Sequence, residues 1–131
     1  MIDVSSEIFT VLADAVREKH SSVSVIGENV RVPNKLPCVT IDETNNVSSH
    51  LDTSNTEPFA DVVYRVQVFC TGEGKRAQAR KIFQTISDAC FGLNLIRKTY
   101  TTTPDVYNSS IYQITATFEA SVRRDGTIFR R

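Results

Sequence analysis

At 131 residues, with 40% apolar and 23% charged side chains, the chain is long enough to bury a real core and ordinary enough in composition for one soluble globular domain over 1–131. Its 15 Lys and Arg balance 15 Asp and Glu, which argues against a dedicated nucleic-acid binder with its basic excess. No apolar run approaches the roughly 20 residues that cross a bilayer, and Met1-Ile2-Asp3-Val4-Ser5 lacks the charged and apolar regions of a signal peptide, so the expectation is a cytoplasmic product with no membrane partner.

Ser5 to His20 reads as an amphipathic helix, because Ile8, Val11, Leu12, Ala15 and Val16 recur on one helical face. Asp3 or Ser5 is suited to cap its start, and Arg17, Lys19 and His20 suit the negative end of its dipole. Ser22 to Val32 alternates weakly around Gly27-Glu28-Asn29 and predicts a short strand or hairpin. Pro33 and Pro37 bracket a turn, and Cys38-Val39-Thr40-Ile41-Asp42 predicts a strand. From Thr44 to Ala60 the chain turns polar without a lasting period, which predicts a long loop. This stretch and its flanks are acidic, with Asp42, Glu43, Asp52 and Glu57 and no Lys or Arg.

Val62 to Cys70 alternates with apolar residues on both faces, as a central strand does. Gly72-Glu73-Gly74 turns into a second helix from Lys75 to Phe91, with Ala79, Ile82, Phe83, Ile86 and Cys90 on its apolar stripe and Gly92 placed to end it in the left-handed conformation. Leu95 to Thr102 predicts a strand rich in Thr and Tyr, broken by Pro104-Asp105. Tyr112, Ile114, Ala116, Phe118, Ala120 and Val122 then alternate with polar residues, only Ile111 falling out of step, and Asp125-Gly126 is the dipeptide for a tight turn into a terminal hairpin. The fold class expected is α+β: an antiparallel or mixed sheet with two helices packed on one face and a C-terminal β-hairpin.

Catalytic and cofactor signatures fail one by one. The glycine turn before Lys75 is not G-x-x-x-x-G-K-S/T, since Gly72 stands too close to Gly74 and Arg76 replaces the magnesium-binding hydroxyl. Cys38, Cys70 and Cys90 have neither Cys-x-x-Cys nor zinc spacing with His20 or His50, and read as buried thiols. Neither histidine has a companion nucleophile or carboxylate that marks a general base. The chain is read as no enzyme, with no catalytic residue, metal or cofactor.

Two basic groups resist an account from folding alone. Lys75, Arg76, Arg80 and Lys81 crowd the start of the second helix, where positive charge opposes the dipole by about 0.3–1 kcal/mol per nearby charge. Arg123, Arg124, Arg130 and Arg131 gather on the terminal hairpin. With an acidic pole at the loop, such a chain is suited to bind copies of itself head to tail.

Leu36-Pro37-Cys38-Val39-Thr40-Ile41-Asp42-Glu43, Val62 to Phe69, the Gly74-Lys75-Arg76 helix entry, and Ile111 to Phe118 with the Asp125-Gly126 hairpin resemble the small tail terminator proteins of long-tailed bacteriophages of the siphovirus type. These are also called tail completion, head–tail joining or minor tail proteins. The likeness rests on strand patterns and element order over most of the chain. It implies a structural virion protein forming a hexameric ring that caps the tail tube, ends tube polymerisation and offers a joining surface to the head connector. Its partners are then its own copies, the tail tube protein and the head completion protein, and DNA passes through the ring without sequence-specific binding. Its place is the virion tail at the head–tail interface, after assembly in the host cytoplasm. On this reading Lys75, Arg76, Arg80, Arg123, Arg124, Arg130 and Arg131 are expected at subunit or ring contacts. The acidic loop, with Asp42, Glu43, Asp52 and Glu57, is expected to line the lumen and repel the DNA backbone. The residues alone also leave open a small non-catalytic binding or adaptor domain of bacterial origin that offers a strand edge to a partner.

Overall fold

The computed structural model describes residues 3–27, 37–49, 59–72, 74–104, 111–123 and 127–129. Helix α1 spans Ser5–Lys19 and buries Ile8, Leu12, Ala13 and Val16. The Asp3 carboxylate accepts from the backbone N–H of Ser5 at 2.9 Å and from its hydroxyl at 2.6 Å, so the acid before the helix satisfies one of its orphan donors. Val11, expected on the apolar stripe, is instead 38% exposed, and Ala13 takes the buried place.

Among the described residues six strands form one mixed sheet: β1 (Ser24–Ile26), β2 (Cys38–Ser49), β3 (Phe59–Thr71), β4 (Ile96–Pro104), β5 (Ile111–Arg123) and β6 (Ile128–Phe129). Their spatial order is β1-β2-β3-β5-β4, with β6 paired to β5 beyond the end of β4. Among the described residues only β1 against β2 is parallel, and the other pairs are antiparallel. The short strand expected near Ser22 is therefore an edge strand beside β2. The α+β class, the two helices and the β5–β6 pairing match the sequence reading.

Helix α2 spans Lys75–Gly92. It packs over β3 and β5, while α1 lies beside it toward β2. Val39, Val62, Val66, Ile114, Ala116 and their neighbours point at the helices and form the core with Ile8, Leu12, Ile82 and Ile86. Phe83 links α2 to the sheet, its ring 5.0 Å from that of Tyr100 and 6.2 Å from that of Phe118. His20 joins the helices, its Nε2 lying 3.0 Å from the Thr85 hydroxyl.

The polar loop expected over 44–60 is corrected over much of its length. Residues 44–49 continue β2 and residues 59–60 open β3, while Asp52, Glu57 and His50 lie outside the described residues. A polar strand is stable here because its ladder partners are the apolar strand β3, from Asn45↔Val63 to Ser49↔Phe59, after a register shift between Glu43 and Asn45. Pairing, not side-chain pattern, makes this segment a strand.

The helix-free face of the sheet is not polar throughout. Cys38 and Phe69 face each other across β2 and β3 on the side opposite Val39 and Val68, and are 1% and 0% exposed. Ile111, on the same face of β5, is 2% exposed. The residue that broke the alternation of β5 thus belongs to a second apolar group, separate from the helix-side core.

The end of α2 also differs from expectation. Gly92 keeps negative φ, and Asn94 takes the left-handed conformation at φ 65°. Leu95 N–H then bonds to the Cys90 carbonyl at 2.9 Å and Asn94 N–H to that of Phe91 at 3.0 Å, a Schellman closure in which buried Leu95 supplies the apolar contact. Asparagine tolerates this conformation because its short side chain bonds locally. At the other end, Gly72 and Gly74 both have positive φ, 86° and 72°, so the turn from β3 into α2 depends on glycine at both positions.

Candidate functional site

The glycine turn decides where the first basic group stands. It launches α2 from the Thr71–Ile111 end of the sheet, with Lys75, Arg76, Arg80 and Lys81 in the opening turns and no acid in the first. Arg76 lies over the ring of Tyr112, 5.8 Å from its centroid, and so ties α2 to the start of β5. Arg76, Arg80 and Lys81 are exposed. Arg123 is exposed at the opposite end of β5, and its N–H bonds to the Thr127 carbonyl at 2.8 Å. Arg123 is not brought to the basic start of α2, for β5 runs 13 residues between them, roughly 40 Å at strand rise. Arg124, Arg130 and Arg131 lie outside the described residues.

The acidic residues also stand elsewhere than expected. Asp42 and Glu43 are consecutive in β2 and point to opposite faces. Asp42 lies on the helix-free face and takes Arg65 Nη2 at 2.9 Å and Nε at 3.4 Å. Glu43 turns toward α1, where it accepts from the Tyr64 phenol at 3.0 Å and from Asn46 Nδ2 at 3.3 Å. Tyr64 is 2% exposed, and burial, then the Glu43 charge and hydrogen bond, push its pKa upward. Neither acid stands in a loop: both lie in β2, and each has a partner within the sheet. The remainder of the helix-free face is hydroxyl-rich, with Thr40 bonded to Gln67 at 3.2 Å, Thr99 to Thr117 at 2.8 Å and Ser121 to Asp61 at 2.7 Å.

The pattern missed in the sequence is on the helices. Glu7, Val11, Asp14 and Glu18 follow one another at helical spacing and are all exposed. They lie opposite the buried Ile8, Leu12 and Val16, and so face outward from the sheet. On α2, Arg76, Arg80 and Phe91 share the side turned away from Thr85, and hence from α1. Beside Phe91, which is 64% exposed, a groove of about 430 Å³ is lined by Ser87, Leu95, Ile96, Arg97 and Phe118. Arg97 closes this side on β4, 5.6 Å from the centroid of the Tyr100 ring. None of Glu7, Asp14, Glu18, Arg80 or Arg97 forms an ion pair with another described residue. The signal for the acidic stripe was legible as Glu7, Asp14 and Glu18 at helical spacing. Its importance became visible only when Val11 came out of the core.

Among the described residues, no group of three or more His, Cys, Asp or Glu is placed to hold a metal, and no helix is long and apolar enough to cross a membrane.

No protein-family model and no curated protein matches the chain. Its fold is similar to that of a chain in a solved structure described as the virion of a native gene transfer agent (GTA) particle, with a TM-score of 0.58 and 17% identity over 91% of each chain. At that identity the likeness is one of fold.

Proposed function

We propose that the chain is a structural virion protein whose copies form a ring on the end of a phage-type tail tube, stop tube growth and provide the surface that joins the head connector. The observation that carries this reading is the fold shared with a chain of a gene transfer agent virion over 91% of both chains. It agrees with the resemblance of the Leu36–Glu43, Val62–Phe69 and Ile111–Phe118 strands to tail terminator proteins. The role is one of assembly and involves no catalytic step. The partners are its own copies, tail tube and head completion proteins, with DNA passing through without base readout, and the place is the head–tail interface after assembly in the host cytoplasm.

Deleting the gene in a host that produces the particles tests the reading. Electron microscopy should then show filled heads without tails and tubes of uncontrolled length, both repaired by the gene in trans. Normal particles without the protein would end it. The exposed edge of β4 from Arg97 to Thr102 favours a second reading, an adaptor that takes a partner strand along that edge. Normal particles together with a partner captured only when β4 is intact would support it.

A further inference from the structure

The two helices present exposed surfaces of opposite sign. The α1 flank carries Glu7, Asp14 and Glu18 around the exposed Val11. The α2–β4 flank carries Arg76, Arg80 and Arg97 around Phe91 and its groove. Each has the layout of an interface patch, an apolar centre inside a charged rim. The contacts place α1 toward β2, and α2 over β3 and β5 beside β4, so the two charged surfaces stand on different elements and different copies can meet them.

We propose that the α1 flank of one copy docks on the α2–β4 flank of the next, so that Glu7, Asp14 and Glu18 meet Arg76, Arg80 and Arg97 across a head-to-tail contact between copies of this chain. The inference rests on the reading that copies assemble, and it names the surfaces that do so. A second copy is the occupant because each flank offers the charge complementary to the other, and among the described residues Glu7, Asp14, Glu18, Arg80 and Arg97 form no ion pair. The contact is heterologous, so it leaves both outer flanks of any dimer open and extends until the rotation between copies closes it. It also accounts for basic residues at the start of α2, where they oppose the helix dipole.

Sedimentation equilibrium of the purified full chain tests the proposal. Association should weaken at least about tenfold between 50 and 500 mM NaCl, because exposed charges are screened over a few ångströms at high salt. Asp14→Lys/Glu18→Lys, and separately Arg80→Glu/Arg97→Glu, should each lower self-association by about a hundredfold, with circular dichroism unchanged. The informative arm is the mixture. Each reversed flank finds its complement only on the other variant, so an equimolar mix should regain assembly in alternating copies, while either variant alone stays monomeric. Folded variants that associate like the wild type, a mixture that stays monomeric, or a wild type that stays monomeric in low salt would each overturn the proposal. Virion incorporation is scored separately in particles. A chain that pairs through its flanks but never enters particles ends the virion reading and leaves the contact standing. A chain with only one flank reversed that still enters particles unmixed does the opposite.

Discussion

The phenol of Tyr64 donates to Glu43 Oε1 at 3.0 Å, between residues that are register partners across β2 and β3. Tyr64 is among the largest fully enclosed side chains, and Glu43 gives its hydroxyl an acceptor at the margin of the core. Tyr64→Phe should cost about 1 kcal/mol, an ordinary net hydrogen bond. Glu43→Ala should cost more, about 1–3 kcal/mol, because it leaves the buried hydroxyl without its acceptor. Glu43→Gln keeps an acceptor and should lie between wild type and Glu43→Ala. Urea unfolding of the three variants checks the order. Equal stabilities would mean that the bond contributes nothing.

The thiols predict a loss of stability in alkali. Burial pushes Cys70 up to about 11 and Cys90 up to about 12, from an ordinary 9.0. Cys38 is also raised by burial, against a smaller opposing effect from its hydrogen bond to Ser24. A raised native pKa means that the folded chain holds protons the unfolded chain releases. The stabilisation is therefore complete below the unfolded value and is lost as pH rises through the native one. Stability should be flat up to about pH 8.5, then fall by as much as about 1.4 kcal/mol per pH unit for each thiol. Tyr64 adds to the fall above its ordinary value of 10.0. Guanidinium titrations at successive pH values measure the slope, and Cys90→Ala should lessen it. A disulfide reagent at neutral pH should label these thiols only after unfolding.

Asn94 offers a test of backbone conformation. At φ 65° a side chain with a Cβ is strained, and asparagine relieves this in part by local bonding. Its Nδ2 also donates to the Ile128 carbonyl at 3.1 Å, which ties the end of α2 to β6. Asn94→Ala should cost about 1–2 kcal/mol in thermal unfolding. Asn94→Gly should cost less, since it removes the strain and loses only the bond to Ile128. If the alanine variant proved the more stable of the two, the closure of α2 would be misassigned.

Phe69 tests the helix-free face. On that face a large aromatic would ordinarily be exposed and its removal harmless. Its 0% exposure predicts that Phe69→Ala costs about 3–5 kcal/mol, as much as Phe118→Ala on the helix side. A loss under about 1 kcal/mol would show that the second apolar group is not closed.

The helices and long apolar strands were legible because their periods are strong: Ala79, Ile82, Phe83, Ile86 and Cys90 are all buried as expected. The second half of β2 was not, since Thr44, Asn45, Asn46, Ser48 and Ser49 carry no apolar alternation and gain their ladder from β3. Ile111 was visible as an irregularity, but its meaning needed Phe69 and Cys38, which only register brings to the same face. The basic residues singled out in the sequence stand together at the head of α2. Their distance from Arg123 could not be read without knowing that β5 runs the whole way between them. An acidic pole was sought in the polar stretch because that stretch stood out, whereas Glu7, Asp14 and Glu18 lay within a helix whose apolar face held attention.

β5 has a mechanical consequence. It is paired to β3 at every position from Ile111↔Thr71 to Arg123↔Phe59, and its other edge is taken up by β4 and then β6. Antiparallel ladder bonds lie perpendicular to the strands, so a pull along β5 loads the whole ladder in shear instead of peeling one bond at a time. A force applied between the Arg76 end and the Arg123 end is thus carried by the stiffest direction of the molecule, while a force that spreads β4 from β5 meets its bonds singly.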